Sequence, residues 1–189
     1  QGVSRRARLF GALPRWLHRY RGVLAALVRL RNASPWVAKK AEGWLGIAAQ
    51  RSIPPIAGHG VADRPGPVDA PRGRVALFVD TFTHYYTPEV AEAAREVLEA
   101  GGYAVQVLRP AAGDGEPERP LCCGRSYLSQ GLVDEAREEG RRTMAALVPL
   151  LAEGVPVVGL EPSCLLALRD EFYSLSLGPE VGQLGKLAF

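Results

Sequence analysis

Cysteine is scarce in this chain, with three in 189 residues, an odd number and too few for the disulfide framework of a small secreted domain. A reducing cytoplasm fits such a composition. Neither CxxC nor HxxxH occurs in the sequence, which removes the common spacings of a structural zinc site. No apolar run approaches the length of a membrane span, and the start lacks the charged-then-apolar build of a secretory signal. Lysine supplies 3 of the 23 basic residues and arginine the rest, a bias that fits high-GC coding and carries no function. The first residue is Gln and not Met, as expected of a piece of a longer polypeptide.

What is present is ordinary for a folded chain. Apolar residues make up 47% and charged residues 23%, so a packed core is expected and wholesale disorder is not. The net charge of +3 is unevenly spread, because residues 1 to 31 hold eight arginines and no acidic residue. With no aromatic-basic platform and no zinc-finger spacing beside it, that short basic segment does not make a nucleic-acid binder.

Residues 1–51 read as a helical arm. Leu9, Phe10, Leu13, Trp16, Leu17, Tyr20, Val23, Leu24, Leu27, Val28 and Leu30 recur at intervals of three and four, and Pro14 and Gly22 are expected to break the pattern into short helices. A second helix is expected in "SPWVAKKAEGWLGI", with Ser34 as N-cap and Pro35 in the first turn, its two tryptophans packing on a common neighbour. An arm packed on the body or on a missing neighbour accounts for these patterns; the alternative is a helix lying in a membrane interface. Residues 52–73 are rich in proline and glycine and read as a linker or a draped strap.

From residue 74 the pattern becomes α/β. "RVALFVD" (74–80) is a continuous apolar run of the kind a parallel strand buried on both faces shows. "TPEVAEAAREVLEAGG" is a helix with Thr87 as N-cap and a glycine stop, and "YAVQVL" is the next strand. A long amphipathic helix over 131–154 and a third strand, "VPVVGL", complete a small open, mostly parallel sheet flanked by helices. Ligands of such sheets sit beyond the carboxyl ends of the strands. Asp80 to Tyr86 follow the first strand, Cys122 and Cys123 lie in the loop after the second, and Cys164 follows the third. The topology therefore gathers all three thiols on one edge.

Soft thiolates at a loop edge are ligands of iron–sulfur clusters and zinc. Gly124 suits a backbone that passes close to a cluster, and Arg119 and Arg125 flank the pair, where they would lower the thiol pKa values and offset a cluster's negative charge. Pro120 and Pro162 would stiffen the loops. Against this stand buried cysteines serving as small hydrophobes, and a nucleophilic cysteine, for which His84 is the partner at that edge.

"RPLCCGRSYLSQGLVDEAR" followed by "VPVVGLEPSCLLALRDEF", after "VALFVDTFTHYYTPEV", resembles the cysteine-rich CCG domain of the iron–sulfur subunits of glycolate and D-lactate oxidases, glycerol-3-phosphate dehydrogenase and heterodisulfide reductase. The similarity covers residues 74–189. "RRARLFGALPRW" and "LGIAAQRSIPPI" resemble the segment that joins a ferredoxin-like module to that domain. The resemblance implies an electron-transfer domain of a flavin-dependent 2-hydroxyacid dehydrogenase, with Cys122, Cys123 and Cys164 as ligands of an iron–sulfur cluster. FAD belongs only to the implied full-length protein. The implied partners are an FAD-binding oxidase domain, a ferredoxin-like module and a quinone or other electron acceptor, with peripheral association at the inner face of the membrane.

Two departures from the pattern matter. "DTFTHYY" stands where the full motif has an opening cysteine, and Ala167 stands where a closing CxxC would place its second. Completion of a cluster would then need Asp80, His84 or ligands from outside the chain. A metal-free repeat acting as a scaffold, and a thiol site working by disulfide exchange between Cys123 and Cys164, are the competing readings.

Overall fold

The computed structural model describes residues 2–67 and 69–189; Gln1 of the expected arm and Val68 of the expected linker lie outside the described residues. Three parallel strands, β1 (Arg74–Phe78), β2 (Ala104–Val107) and β3 (Val157–Gly159), form a sheet in the order β2-β1-β3. The class is the open α/β arrangement expected. Register is set by apolar pairs, Val75 opposite Val105 and Leu77 opposite Val107 on one side, and Leu77 opposite Val158 on the other.

Alternation along β1 divides the core in two. Ala76 and Phe78 face a layer built from Leu147 and Leu151 of the long helix and from Phe172 and Leu184 near the C-terminus. Val75, Leu77 and Val79, with Val105 and Val107 of β2 beside them, pack with Ala91 and Val61. Both faces of the central strand are thus sealed, which is why the run could be continuously apolar. Full burial of each large side chain here contributes about 1.5–3 kcal/mol.

Helices begin with α1 (Arg5–Gly11), α2 (Leu13–Ala33) and α3 (Pro35–Leu45). Pro14 occupies the first turn of α2, where its missing N–H costs nothing, so the break falls at Ala12, just ahead of it. Gly22 does not interrupt the helix; the irregularity is a kink at Tyr20 (φ −125°, ψ 27°). Ser34 caps α3 by accepting from the Val37 amide, and Gly46 ends it in the left-handed conformation. The expected packing of the two tryptophans is not found: Trp36 and Trp44 are exposed, with Lys40 over the Trp36 ring. Leu17 is buried against Ile56 and Tyr85, while Val23, Leu27 and Leu30 face outward.

Residues 48–66 are draped over the body, tied down by side chains of the flanking elements. Arg31 donates to the Ala48 and Arg51 carbonyls. Asn32 exchanges two hydrogen bonds with Ile53, and Arg95, itself fully buried, donates to the carbonyls of Ala62 and Arg64.

After β1 come α4 (Thr81–Tyr86) and the crossover helix α5 (Pro88–Ala100). Thr87 sits at the N-cap of α5 without a side-chain cap bond. Then follow α6 (Arg125–Leu128) and α7 (Val133–Ala152), and beyond β3 the chain closes with α8 (Pro162–Leu166), a π-helical turn over Ala167–Glu171, α9 (Phe172–Ser174) and α10 (Val181–Leu187). The Phe189 amide donates to Val157 and its carbonyl accepts from Gly159, adding a short parallel bridge beside β3. From β1 the chain winds outward to β2 and then returns past β1 to β3. The switch point of the sheet therefore lies between the carboxyl ends of β1 and β3.

Candidate functional site

A cleft of about 500 Å³ opens at that switch point, lined by Asp80 and Thr81 after β1, by Cys122, Cys123 and Arg125 after β2, and by Glu161, Ser163 and Cys164 after β3. The three thiols come together here, all unpaired and buried. The Cys123 thiol donates to the Cys164 sulfur at 3.1 Å across 41 positions of sequence. The Cys122 sulfur accepts from the Gly124 amide at 3.4 Å.

Helix α7 holds the CCG loop through one polar stripe. The Thr143 hydroxyl donates to the Cys122 carbonyl at 2.9 Å. Arg142 donates to the carbonyls of Pro120 (2.9 Å), Glu116 (2.8 Å) and Arg119, and pairs with Asp114. Glu139, fully buried, accepts from Arg119 at 2.9 Å and from Arg15 at 3.3 Å. A buried carboxylate is tolerable only with such partners. Residues at i, i+3 and i+4 of one helix thus fix the loop that carries the cysteines.

Gly124 has φ +79°, and a Cβ there would lie 2.9 Å from the Ala136 carbonyl oxygen of α7. Its need for glycine therefore comes from the passing helix backbone as well as from its own backbone angle.

Arg119 and Arg125 do not act on the thiols as expected. Arg119 is engaged by Glu116 and Glu139, and Arg125 by Glu171. The Cys122 thiol is pushed far up by its contact with Cys123 and by burial. For Cys123 the contact with Cys122 acts downward, but the Cys164 contact and burial outweigh it and the thiol is raised. The carboxylates that line the cleft beside these thiols are Asp80 and Glu161.

Both carboxylates are already occupied. Asp80 is the N-cap of α4, accepting from the Phe82 and Thr83 amides and from the Thr83 hydroxyl. The segment expected to be a ligand loop is therefore a short helix. Glu161 caps α8, accepting from the Ser163 hydroxyl and the Cys164 amide, and these donors hold its carboxyl below the ordinary range although partial burial opposes them.

His84 is not brought to the cysteines. It lies in a separate cleft beyond β1 and β2 with His18, Arg21, Tyr85, Arg109 and Arg119. Burial, and then the guanidinium groups of Arg109 and Arg21, push its pKa down to about 4.

Among the described residues no group of three or more His, Cys, Asp or Glu side chains is arranged to hold a metal ion. Three thiols engaged with one another and with a backbone amide, beside two carboxylates already used as helix caps, do not make up the coordination sphere of an iron–sulfur cluster. Sequence reasoning missed Glu161, Ser163 and the α7 stripe. "EPS" before an apolar run is a helix-start signal that could have found the first two, and the 139/142/143 spacing could have suggested the third. The π-helical turn after Cys164, a feature frequent at functional sites, has no comparable signal.

The architecture is that of an open α/β domain with a thiol-lined cleft at its switch point. The chain is 28% identical over 102 residues to one subunit of the anaerobic glycerol-3-phosphate dehydrogenase of Escherichia coli (strain K12), a match covering 53% of this chain and 24% of that protein. It is 29% identical over 117 residues to the D-2-hydroxyglutarate dehydrogenase of Escherichia coli (strain K12), covering 61% of this chain and 10% of the relative. Both matches are partial, and this chain spans at most about a quarter of either protein. No family model matches the chain, and no solved structure does.

Proposed function

We propose that this chain is an iron–sulfur-type electron-transfer domain of a flavin-dependent 2-hydroxyacid dehydrogenase, working as one piece of a longer protein or complex. The observation that carries the reading is the meeting of Cys122, Cys123 and Cys164 in one cleft at the switch point of the sheet. Partial similarity to two proteins named as dehydrogenases supports it. The three thiols are then part of a ligand set that segments outside this chain complete, because the donors present do not suffice.

In this reading residues 74–189 are the α/β domain and residues 52–73 the strap. Residues 1–51 are an arm, and its exposed Leu27, Leu30, Trp36 and Trp44 support a neighbour beyond this chain, of the ferredoxin-like or flavin-binding kind. An electron acceptor such as a quinone, and association with a membrane face, belong to the same reading; no helix among the described residues is long and apolar enough to cross a membrane.

Anaerobic incubation with iron and sulfide tests it, on this chain and on the chain extended into its natural flanking sequence. The expected result is little iron on the short form and a coloured, iron-containing long form that loses its colour in Cys164→Ser. A colourless long form would sink the proposal and leave the second reading, a metal-free scaffold repeat. That alternative is favoured by one observation, the engagement of Asp80 and of one Glu161 oxygen in helix-capping bonds.

A further inference from the structure

We infer that Cys123 and Cys164 form a redox-active dithiol that closes to an intramolecular disulfide, with Cys122 as the thiol left over. Their sulfurs stand 3.1 Å apart, and a disulfide needs about 2.05 Å, so closure asks for roughly one ångström of movement shared between two loops. Those loops follow different strands, β2 and β3, and meet only because the sheet order is β2-β1-β3. Cys122 is a poor partner for either. A bond to adjacent Cys123 would demand a strained turn, and its sulfur is already engaged by the Gly124 amide.

Access comes through the cleft. Cys164 lines it and is the most exposed of the three at 8%, against 5% for Cys122 and 2% for Cys123. The oxidant is a small-molecule disulfide, RS–SR. The Cys164 sulfur, having shed its proton, attacks one sulfur of RS–SR; the S–S bond breaks, one RS⁻ leaves and takes up a proton as RSH. The mixed disulfide on Cys164 then faces Cys123, which attacks the Cys164 sulfur, loses its own proton and releases the second RSH. Two protein thiols are oxidised by two electrons and one small disulfide is reduced to two thiols.

Closure links the CCG loop to α8 and the π-helical turn behind it. It also removes two of the three thiols from any ligand set, so the disulfide and a bound metal exclude each other. The inference does not rest on the electron-transfer reading: a chain that never takes up iron retains the pair.

The test uses the full, folded chain, reduced, stripped of metal with a chelator and then exposed to excess oxidised glutathione. After acid quenching and unfolding, free thiols are counted, and non-reducing proteolysis with mass spectrometry maps any bond. The expected result is loss of two of the three thiols, with a Cys123–Cys164 cross-link and Cys122 recovered free. Cys122→Ser should form the same bond, while Cys164→Ser should form no intramolecular disulfide. Three free thiols in the oxidised wild type, or a bond that maps to Cys122, overturns the inference. The wild-type mapping decides it even if a variant fails to fold.

Discussion

Replacing Gly124 by alanine separates a packing role from a cofactor role at the centre of the CCG loop. With φ at +79° the new residue would occupy the left-handed region, at a cost of about 1–2 kcal/mol for a residue bearing a Cβ. That Cβ would also lie 2.9 Å from the Ala136 oxygen and 3.2 Å from its Cα. These are backbone atoms of α7 and cannot rotate aside, so loop or helix must shift, at a further ~1–3 kcal/mol. The sum is about 2–5 kcal/mol, which for a chain of this size lowers Tm by roughly 4–20 °C. Gly131→Ala is the control, because Gly131 has φ +74° and nothing within 4 Å of the added carbon. It should lose about 1–2 kcal/mol, the backbone cost alone, and the difference of ~2 kcal/mol isolates the contact with α7. Urea unfolding of the metal-free chain, followed by far-UV circular dichroism, measures both. Equal losses in the two variants would refute the close-approach argument. A glycine needed only to let a cofactor near would show that equality.

Other consequences are open to similar tests. Glu139→Gln removes one of the two carboxylates that pair with buried Arg119, leaving Glu116, and should destabilise the chain by about 1.5–3 kcal/mol in the same urea assay, whereas the double change Arg119→Met, Glu139→Leu should lose less. His84, with its pKa pushed from 6.5 to about 4, binds its proton less readily folded than unfolded. Its contribution to stability is therefore complete above pH 6.5 and is lost as pH falls from 6.5 through 4. Because the ring is partly solvated, the loss is about 1–2 kcal/mol rather than the full linkage value. Proton NMR titration of the His84 ring gives the pKa directly, and His84→Gln should flatten that part of the pH profile; a midpoint near 6.5 would contradict the cationic surroundings described for it.

Most of the α/β body was legible because its signals are local and repetitive. The unbroken "RVALF", the glycine-stopped crossover helix and "VPVVG" each carry a period that a single type of element satisfies. Where reading failed, a tertiary or capping interaction had overridden the local signal. "TFTHYY" looks like loop or strand, yet Asp80 satisfies the amides that would otherwise be orphaned and allows a turn and a half of helix. Gly22 signals a break in α2, but one glycine costs about 1 kcal/mol in a helix, less than the packing of Leu17 and the anchoring of Arg31 and Asn32 retain. The tryptophans of α3 illustrate the opposite limit, since an amphipathic pattern says that a face is apolar and not what lies against it.

The site divides along the same line. Convergence of three cysteines followed from topology alone, because strand order determines which loops share an edge and side-chain detail hardly enters. The donor set did not follow, because a carboxylate at a strand end can serve a metal or a helix N-terminus equally well on paper. Asp80 and Glu161 each lie two residues past a strand, both precede short helices and both are taken up by backbone amides. Arginines beside the cysteines misled in the same way: Arg119 lies next to the thiols in sequence, but its charge is directed into Glu139 on α7. Sequence position fixes where a Cα goes, while the claim on its side chain is settled by whichever neighbour offers the better hydrogen bonds. In this cleft the capping amides claimed the carboxylates and left the thiols mainly to one another.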